Sequence, residues 1–414
     1  MQPQNFEEKV VWYSAIGTYV LYFLGAQYIF IPAIAWFLTL FLCKKWYQGA
    51  TSPNQEQISI PITVWVWIIA MLVMEFVLIM GHIDFELGLT KTIFSSVNNW
   101  VRQYALFALF PLIGCLQIRQ KLIYRSVCII CLQSLFFIII SYLIHVFRLP
   151  QIEYISPLSI LGGGSDELYS IDLYEIEYGT NILRLKLFAP WCPELGMIGN
   201  IYFFLALQES NKKWRIIGTV GAIAMIIGSF SRAAILCLPI VLIFTLLLQH
   251  LTVPLTHITT GILGFFTCIL TPQITDYFQT FRERFDSLRA SSSQVRGLLV
   301  NLALDRWQEA PLWGHAVFVP WLNTPGIGTH HTWVGLLFIR GIVGFSAFLF
   351  PLLWSFATLV YQAYKSSDAR VGIMIISVIF LFGSVIDVTY IAHIYWLGLL
   401  MLGIALKKQS VATV

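Results

Sequence analysis

Two histidines, His330 and His331, stand side by side where a glycine-containing stretch, Gly326-Ile327-Gly328-Thr329, meets a long apolar run. An unperturbed imidazole has a pKa of about 6.5, so one histidine in this position can take a proton at neutral pH as a general base. The bland reading of the same residue is an interfacial histidine bonded to backbone. Paired histidines also raise metal chemistry, but neighbouring residues do not easily turn onto one ion. No cysteine or well-spaced carboxylate cluster completes a set, so no metal and no cofactor is expected.

Arginine is the second chemical signal. The basic residues assigned to the outer side of the chain are almost all Arg, among them Arg184, Arg232, Arg296 and Arg340, with Lys91 and Lys186 the exceptions. A guanidinium fork binds phosphate or carboxylate bidentately and is less strongly hydrated than an ammonium group. An arginine-rich face above an apolar bundle suits an anionic, lipid-linked ligand; snorkelling to headgroups is the plainer alternative. Glu194, at the mouth of an apolar segment, and Trp307, at the end of a helix-like stretch, complete the residues with chemical potential.

The elements that must position these groups are membrane elements. Of 414 residues, 58% are hydrophobic and 11% charged, against about 25% charged in soluble domains. Apolar segments fall at about 10–25, 28–43, 62–81, 101–117, 123–147, 192–208, 214–229, 231–249, 254–271, 333–362, 370–387 and 391–407. The expected fold is all-α: a single integral membrane domain over 1–414 with about twelve transmembrane helices. Gly25-Ala26-Gln27 and Gly228-Ser229-Phe230-Ser231 divide two runs too long for one span each. Cys128 and Cys131, like the other cysteines, read as small apolar helix residues. Scattered basic residues give nucleic-acid binding no support.

Short loops carrying Lys44 and Lys45, Arg119 and Arg125, Lys212 and Lys213, Lys365 and Arg370, and Lys407 and Lys408 alternate with less basic ones. The positive-inside rule then places both termini in the cytoplasm and the long loops 148–191 and 272–332 outside. The first loop is acidic and aromatic, with Tyr154, Tyr169, Tyr174 and Tyr178 available to stack on sugar rings. In the second, Phe281–Arg289 is amphipathic and suits the interface, and a helix-like stretch follows from Gln294 through Ala310.

At these residues the chain resembles a known family. Gly328-Thr329-His330-His331-Thr332-Trp333, followed by Gly341-Ile-Val-Gly344, is similar to the His-Asn and Gly-x-x-Gly signature of the O-antigen ligase and polymerase superfamily. Arg296…Ala303…Trp307…Pro311-Leu-Trp-Gly314 resembles its arginine-bearing helix with Pro-x-x-Gly, Ser231-Arg232-Ala-Ala its Ser-Arg helix start, and Arg184…Phe188-Ala-Pro190 its Arg-x-x-x-Phe-x-x-Pro element. The matched region runs from 180 to 350. It departs from the pattern where His331 replaces Asn and where Ile339 stands at a position often acidic.

The resemblance implies a GT-C-like, metal-independent glycosyltransferase of the inner membrane, with its active site in the outer, periplasmic loop. Its donor would be a glycan on undecaprenyl pyrophosphate, and its acceptor a hydroxyl on lipid A core, another glycan or a protein. The implied catalytic residues are His330, Arg296 and Arg232; substrate contacts are expected from Arg184, Glu194, Trp307, His331 and Arg340. Ligase, polymerase and protein O-glycosyltransferase share these motifs. A lipid-linked glycan transporter or flippase is the alternative. Against it, Glu75 is one of very few deep charges and no internal repeat is evident.

Overall fold

The structure, a computed structural model, describes residues 2–51, 58–177, 181–250, 253–269, 271, 275, 290–321, 324–328, 330–363 and 366–407. The amphipathic stretch expected at 281–289 lies outside them. The described chain is mainly helical. Among the described residues, four helices are long and apolar enough to cross a membrane: Gln27–Gly49 within α3 (Gln27–Thr51), α4 (Ile62–Asp84), α7 (Gln120–Val146) and α14 (Thr332–Ala363). Shorter apolar helices include α9 (Cys192–Leu207), α11 (Arg232–Gln249) and α16 (Trp396–Lys407).

Several expected spans are shorter or broken. The first is α1 (Phe6–Ile16) followed by α2 (Thr18–Phe23), and the chain then turns at Gly25, with φ +66°. The segment expected at 101–117 is a π-helix, Ser96–Tyr104, continued by α6 (Leu106–Ile113), whose every residue is buried. The segment expected to begin at 391 becomes helical only at Trp396. Wide π turns and turn-rich connections have weak apolar periodicity, so a hydropathy reading smooths them into helix.

Small residues let helices approach closely. In α10 (Lys212–Gly228), Gly218 and Gly221 lie against Cys128 and Cys131 of α7, which is the packing role open to small apolar cysteines. At one end of the bundle, Glu7 pairs with Lys45 at 2.8 Å, Glu8 with Arg119, and Arg125 with Glu209 at 2.9 Å. Lys407 Nζ donates to the Leu116 carbonyl at the same end. The cations among them are ones the sequence assigns to short basic segments, and Lys45, Arg125 and Lys407 stand in helices. The opposite end carries two antiparallel hairpins, β1 (Glu153–Ile155) with β2 (Ser170–Asp172) and β3 (Tyr174–Ile176) with β4 (Leu183–Leu185). The remaining described elements of the 272–332 stretch are α13 (Ala290–Trp307) and the hairpin β5 (Val319–Trp321)–β6 (Thr324–Ile327).

The helix α14 is two helices joined at Gly341, where φ is +61° and ψ −171°. That backbone conformation is essentially restricted to glycine. The bend is sharp: Trp333 and Phe348 rings lie 6.1 Å apart, whereas fifteen residues of straight helix span about 22 Å. A break inside a bundle exposes backbone donors and acceptors that must be paired. The segment 311–316 pairs them. His315 N–H donates to the Phe338 carbonyl at 2.8 Å, Ala316 N–H to Ile339 at 3.0 Å, and Ile342 N–H to Pro311 at 2.8 Å. The Pro311-Leu-Trp-Gly314 motif and the Gly341 motif are thus two halves of one joint. Gly314 sits at φ +71°, and a side chain on it would meet the Ile339–Arg340 backbone at 2.4 Å.

Candidate functional site

His330 occupies the turn immediately before α14, at φ +62°. This left-handed conformation is uncommon for a residue with a Cβ, although His tolerates it better than most. The surroundings hold it. Thr332 N–H donates to the Gly383 carbonyl at 2.8 Å, and Thr332 Oγ1 donates to Ile386 O at 2.7 Å and accepts from Val388 N–H at 2.9 Å. The start of α14 is therefore fastened to the connection between α15 (Ser367–Phe382) and α16.

Arg296 approaches from the other side. Its helix α13 packs Leu299 and Ala303 against Ile327, Phe338 and Ile339. Arg296, Leu299 and Ala303 follow helical spacing, so the arginine continues the face that packs on the short first half of α14. Burial, and then the nearby Arg296 charge, push the pKa of His330 down from 6.5 to about 4. The imidazole is consequently neutral at pH 7, the form a general base requires.

His331 performs a different task. Its Nδ1 accepts the Val334 backbone N–H at 3.3 Å, making it the N-cap of α14. Burial lowers its pKa as well, favouring the neutral ring with a free acceptor nitrogen. Asparagine is a strongly preferred N-cap, so the replacement of Asn by His331 in the motif preserves an acceptor at this place. Trp307 is likewise occupied, donating from Nε1 to the Pro311 carbonyl at 3.2 Å across the turn that ends α13.

Arg340 departs furthest from the expectation of a substrate contact. It is 2% exposed, donates from Nη1 to Ala316 O at 3.2 Å and lies 5.7 Å from the Tyr104 ring. Its charge also acts on Glu75 and Asp387. The side chain is an internal member of the joint around Gly341. Arg184 is engaged too, in a 2.5 Å ion pair with Glu175, its cross-strand neighbour in the β3–β4 hairpin.

Arg232 enters by another wall. It opens α11, where Ser231 caps the helix by accepting from Ala234 N–H. This turn packs on the start of α9: a side chain at Gly196 would meet Ala234 and Ser229, and Asn200 Nδ2 donates to Ala234 O at 3.0 Å. Leu185 of β4 packs on Gly228 of the same turn. Glu194, 3% exposed in the first turn of α9, accepts the Trp191 N–H at 3.2 Å. The structure thus brings Arg296 to His330, and gathers Arg232, Glu194 and the Arg184 hairpin around the α9–α11 contact.

Motif reading missed the connection 383–395, which holds Thr332 and carries Asp387 and Tyr390. Asp387 Oδ1 accepts from Thr389 N–H at 3.0 Å and from its hydroxyl at 2.6 Å. The one signal was a lone carboxylate between two apolar runs. The carboxylate charges of Asp387 and Glu194 act on each other, which links this connection to the mouth of α9.

No curated protein matches the chain. Residues 217–349, the stretch that bears Arg232, Arg296, His330 and Arg340, match the family model described as O-antigen ligase, which supports the resemblance to the O-antigen ligase and polymerase superfamily.

Proposed function

We propose that the protein is a multi-pass inner-membrane glycosyltransferase that moves a glycan from undecaprenyl pyrophosphate to a hydroxyl acceptor, working at the outer face of the membrane. The observation that carries this reading is the placement of Arg296 beside a neutral, half-buried His330 at the turn that opens a broken helix. In the reaction the acceptor oxygen bonds to the anomeric carbon as the carbon–oxygen bond to pyrophosphate breaks. The hydroxyl proton passes to His330, and undecaprenyl pyrophosphate leaves with the bonding electron pair. Arg296, with Arg232, stabilises the charge growing on the leaving group. No step calls for a metal or nucleotide.

A lipid-linked donor also needs room for its tail. A cavity of about 310 Å³ lies between α11, α14 and α15, lined by Ile240, Phe244, Leu352, Phe356, Ile376 and Phe380 among others. Its lining is apolar and begins about two turns along α11 from Arg232. This supports a headgroup at Arg232 with an isoprenoid chain below it.

The test is transfer by the purified full chain in nanodiscs, with a synthetic polyprenyl-pyrophosphate glycan and a hydroxyl-bearing glycan acceptor. His330→Ala and Arg296→Ala are expected to abolish transfer in folded protein, and full activity of His330→Ala overturns the assignment. Surface glycan from a deletion strain separates the two family activities: loss of core-linked ladder with intact polymeric donor marks a ligase, and a single-repeat product a polymerase. The break in α14 and the buried Arg340 are features that transporters also use. In that reading the glycan crosses the membrane without a bond change, and His330→Ala leaves crossing intact.

A further inference from the structure

The described tyrosines of the 148–191 loop are committed to structure. Tyr154 donates to the Phe23 carbonyl, Tyr169 is 1% exposed and donates to Gly163 O at 2.8 Å, and Tyr174 is 3% exposed. A different aromatic pair stands at the site. The rings of Trp191 and Tyr390 have centroids 5.9 Å apart at 37°, and both residues are half-buried. Each is held in place. Tyr390 Oη shares a hydrogen bond with Ser165 Oγ, and the Trp191 backbone is fixed by the Glu194 carboxylate.

The pair joins an element from each half of the site. Trp191 caps α9, whose first turns pack on the Ser229–Ala234 turn that presents Arg232. Tyr390 follows closely on Gly383 and Ile386, whose carbonyls fasten Thr332 two residues beyond His330. Half-buried Asp387, three residues before Tyr390 and anchored through Oδ1 on Thr389, adds a carboxyl group to the same connection. A flat apolar face with hydroxyls at its edge is the chemistry that stacks on aromatic rings and donates to a carboxylate.

Resting on the transferase reading, we infer that Trp191 and Tyr390 form a platform on which one pyranose ring of a glycan substrate stacks, with Asp387 accepting from its hydroxyls. Glu194 acts through Trp191 and is a positioning residue.

The experiment uses full-length protein in nanodiscs and the polyprenyl-pyrophosphate glycan and acceptor glycan already described. Trp191→Ala and Tyr390→Ala are expected to raise one KM about tenfold, as loss of an aromatic contact worth about 1.4 kcal/mol would, with kcat little changed. Trp191→Phe, which keeps a ring, recovers most of that loss and shows that the site still folds. A rise confined to donor KM assigns the ring to the donor; a rise confined to acceptor KM assigns it to the acceptor. If Trp191→Ala is folded and both KM values are unchanged, the platform is wrong. Binding of a labelled lipid-linked glycan to the parent protein separates the two ideas. A parent that binds the glycan but transfers none of it, with binding about tenfold weaker in Trp191→Ala and little changed in Trp191→Phe, retains the platform and removes the transferase.

Discussion

The Nδ1 atom of His331 accepts the backbone N–H of Val334 at 3.3 Å, so the second histidine of the pair caps a helix while the first faces Arg296. Losing an N-cap costs about 1 kcal/mol. His331→Ala is therefore expected to lower the Tm by a few degrees and to leave most of the transfer activity. His331→Asn restores an acceptor at the same place and is expected to match the parent in both. A complete loss of transfer in folded His331→Asn would show that the ring itself meets substrate.

The pH dependence follows from His330. Its pKa is depressed from 6.5 to about 4 by burial and by Arg296, so the free enzyme holds the base neutral until pH falls to about 4. The acid limb of kcat/KM reports that free-enzyme value. A bound pyrophosphate offsets the Arg296 charge and favours the imidazolium, so the acid limb of kcat is expected at higher pH than that of kcat/KM. Arg296→Gln is expected to move the kcat/KM limb upward in its residual activity. An acid limb of kcat/KM at or above 6.5 in the parent contradicts the buried base.

The same depression has a consequence for stability. His330 and His331 bind fewer protons folded than unfolded, so their contribution is complete above the ordinary value of 6.5 and is lost as pH falls through their lower folded values. The Tm in nanodiscs is expected to fall between pH 7 and pH 5, and less steeply in the double variant His330→Gln/His331→Asn. Equal slopes in the two proteins would remove the histidines from the cause.

How much of this was legible in the sequence depended on whether a residue's partners were near it in the chain. His330 and Arg296 announced themselves through flanking glycine, proline and helix-start signals, and the breaks at Gly25 and Ser229 through small residues within apolar runs. Arg340 carried the same chemical label as Arg296, but its burial is decided by Tyr104 and Ala316, which are distant in sequence. Hydropathy placed a break only at 388–390 and could not show that all of 383–395 leaves the helix to hold Thr332, because Val385, Ile386, Ile391 and Ile394 keep its ends apolar.

The joint at Gly341 makes a sharper claim on the fold. A Cβ there would lie 2.2 Å from the Leu312 carbonyl oxygen, and φ is +61°. A non-glycine residue in such a conformation costs on the order of 1–3 kcal/mol before any clash is counted. Gly341→Ala is expected to reduce the yield of folded protein severely, whereas Gly261→Ala, whose Cβ meets nothing within 4 Å, is expected to be neutral. Normal thermal stability of Gly341→Ala would mean that α14 is not broken there.

Arg184 offers a choice between structure and substrate. Its guanidinium meets Glu175 at 2.5 Å, and it is 8% exposed. Glu175 is 36% exposed and Arg184 mostly covered, so removing the arginine leaves a half-buried carboxylate without its partner, whereas replacing both with neutral isosteres is less costly. Arg184→Gln alone is then expected to impair stability and transfer together, and Arg184→Gln/Glu175→Gln to recover most of both. Recovery is the signature of a pair that braces the β3–β4 hairpin against Gly228, and through it the turn that presents Arg232. If the double variant regains its Tm but remains inactive, Arg184 acts on substrate directly, and the substrate contact expected from its motif is restored.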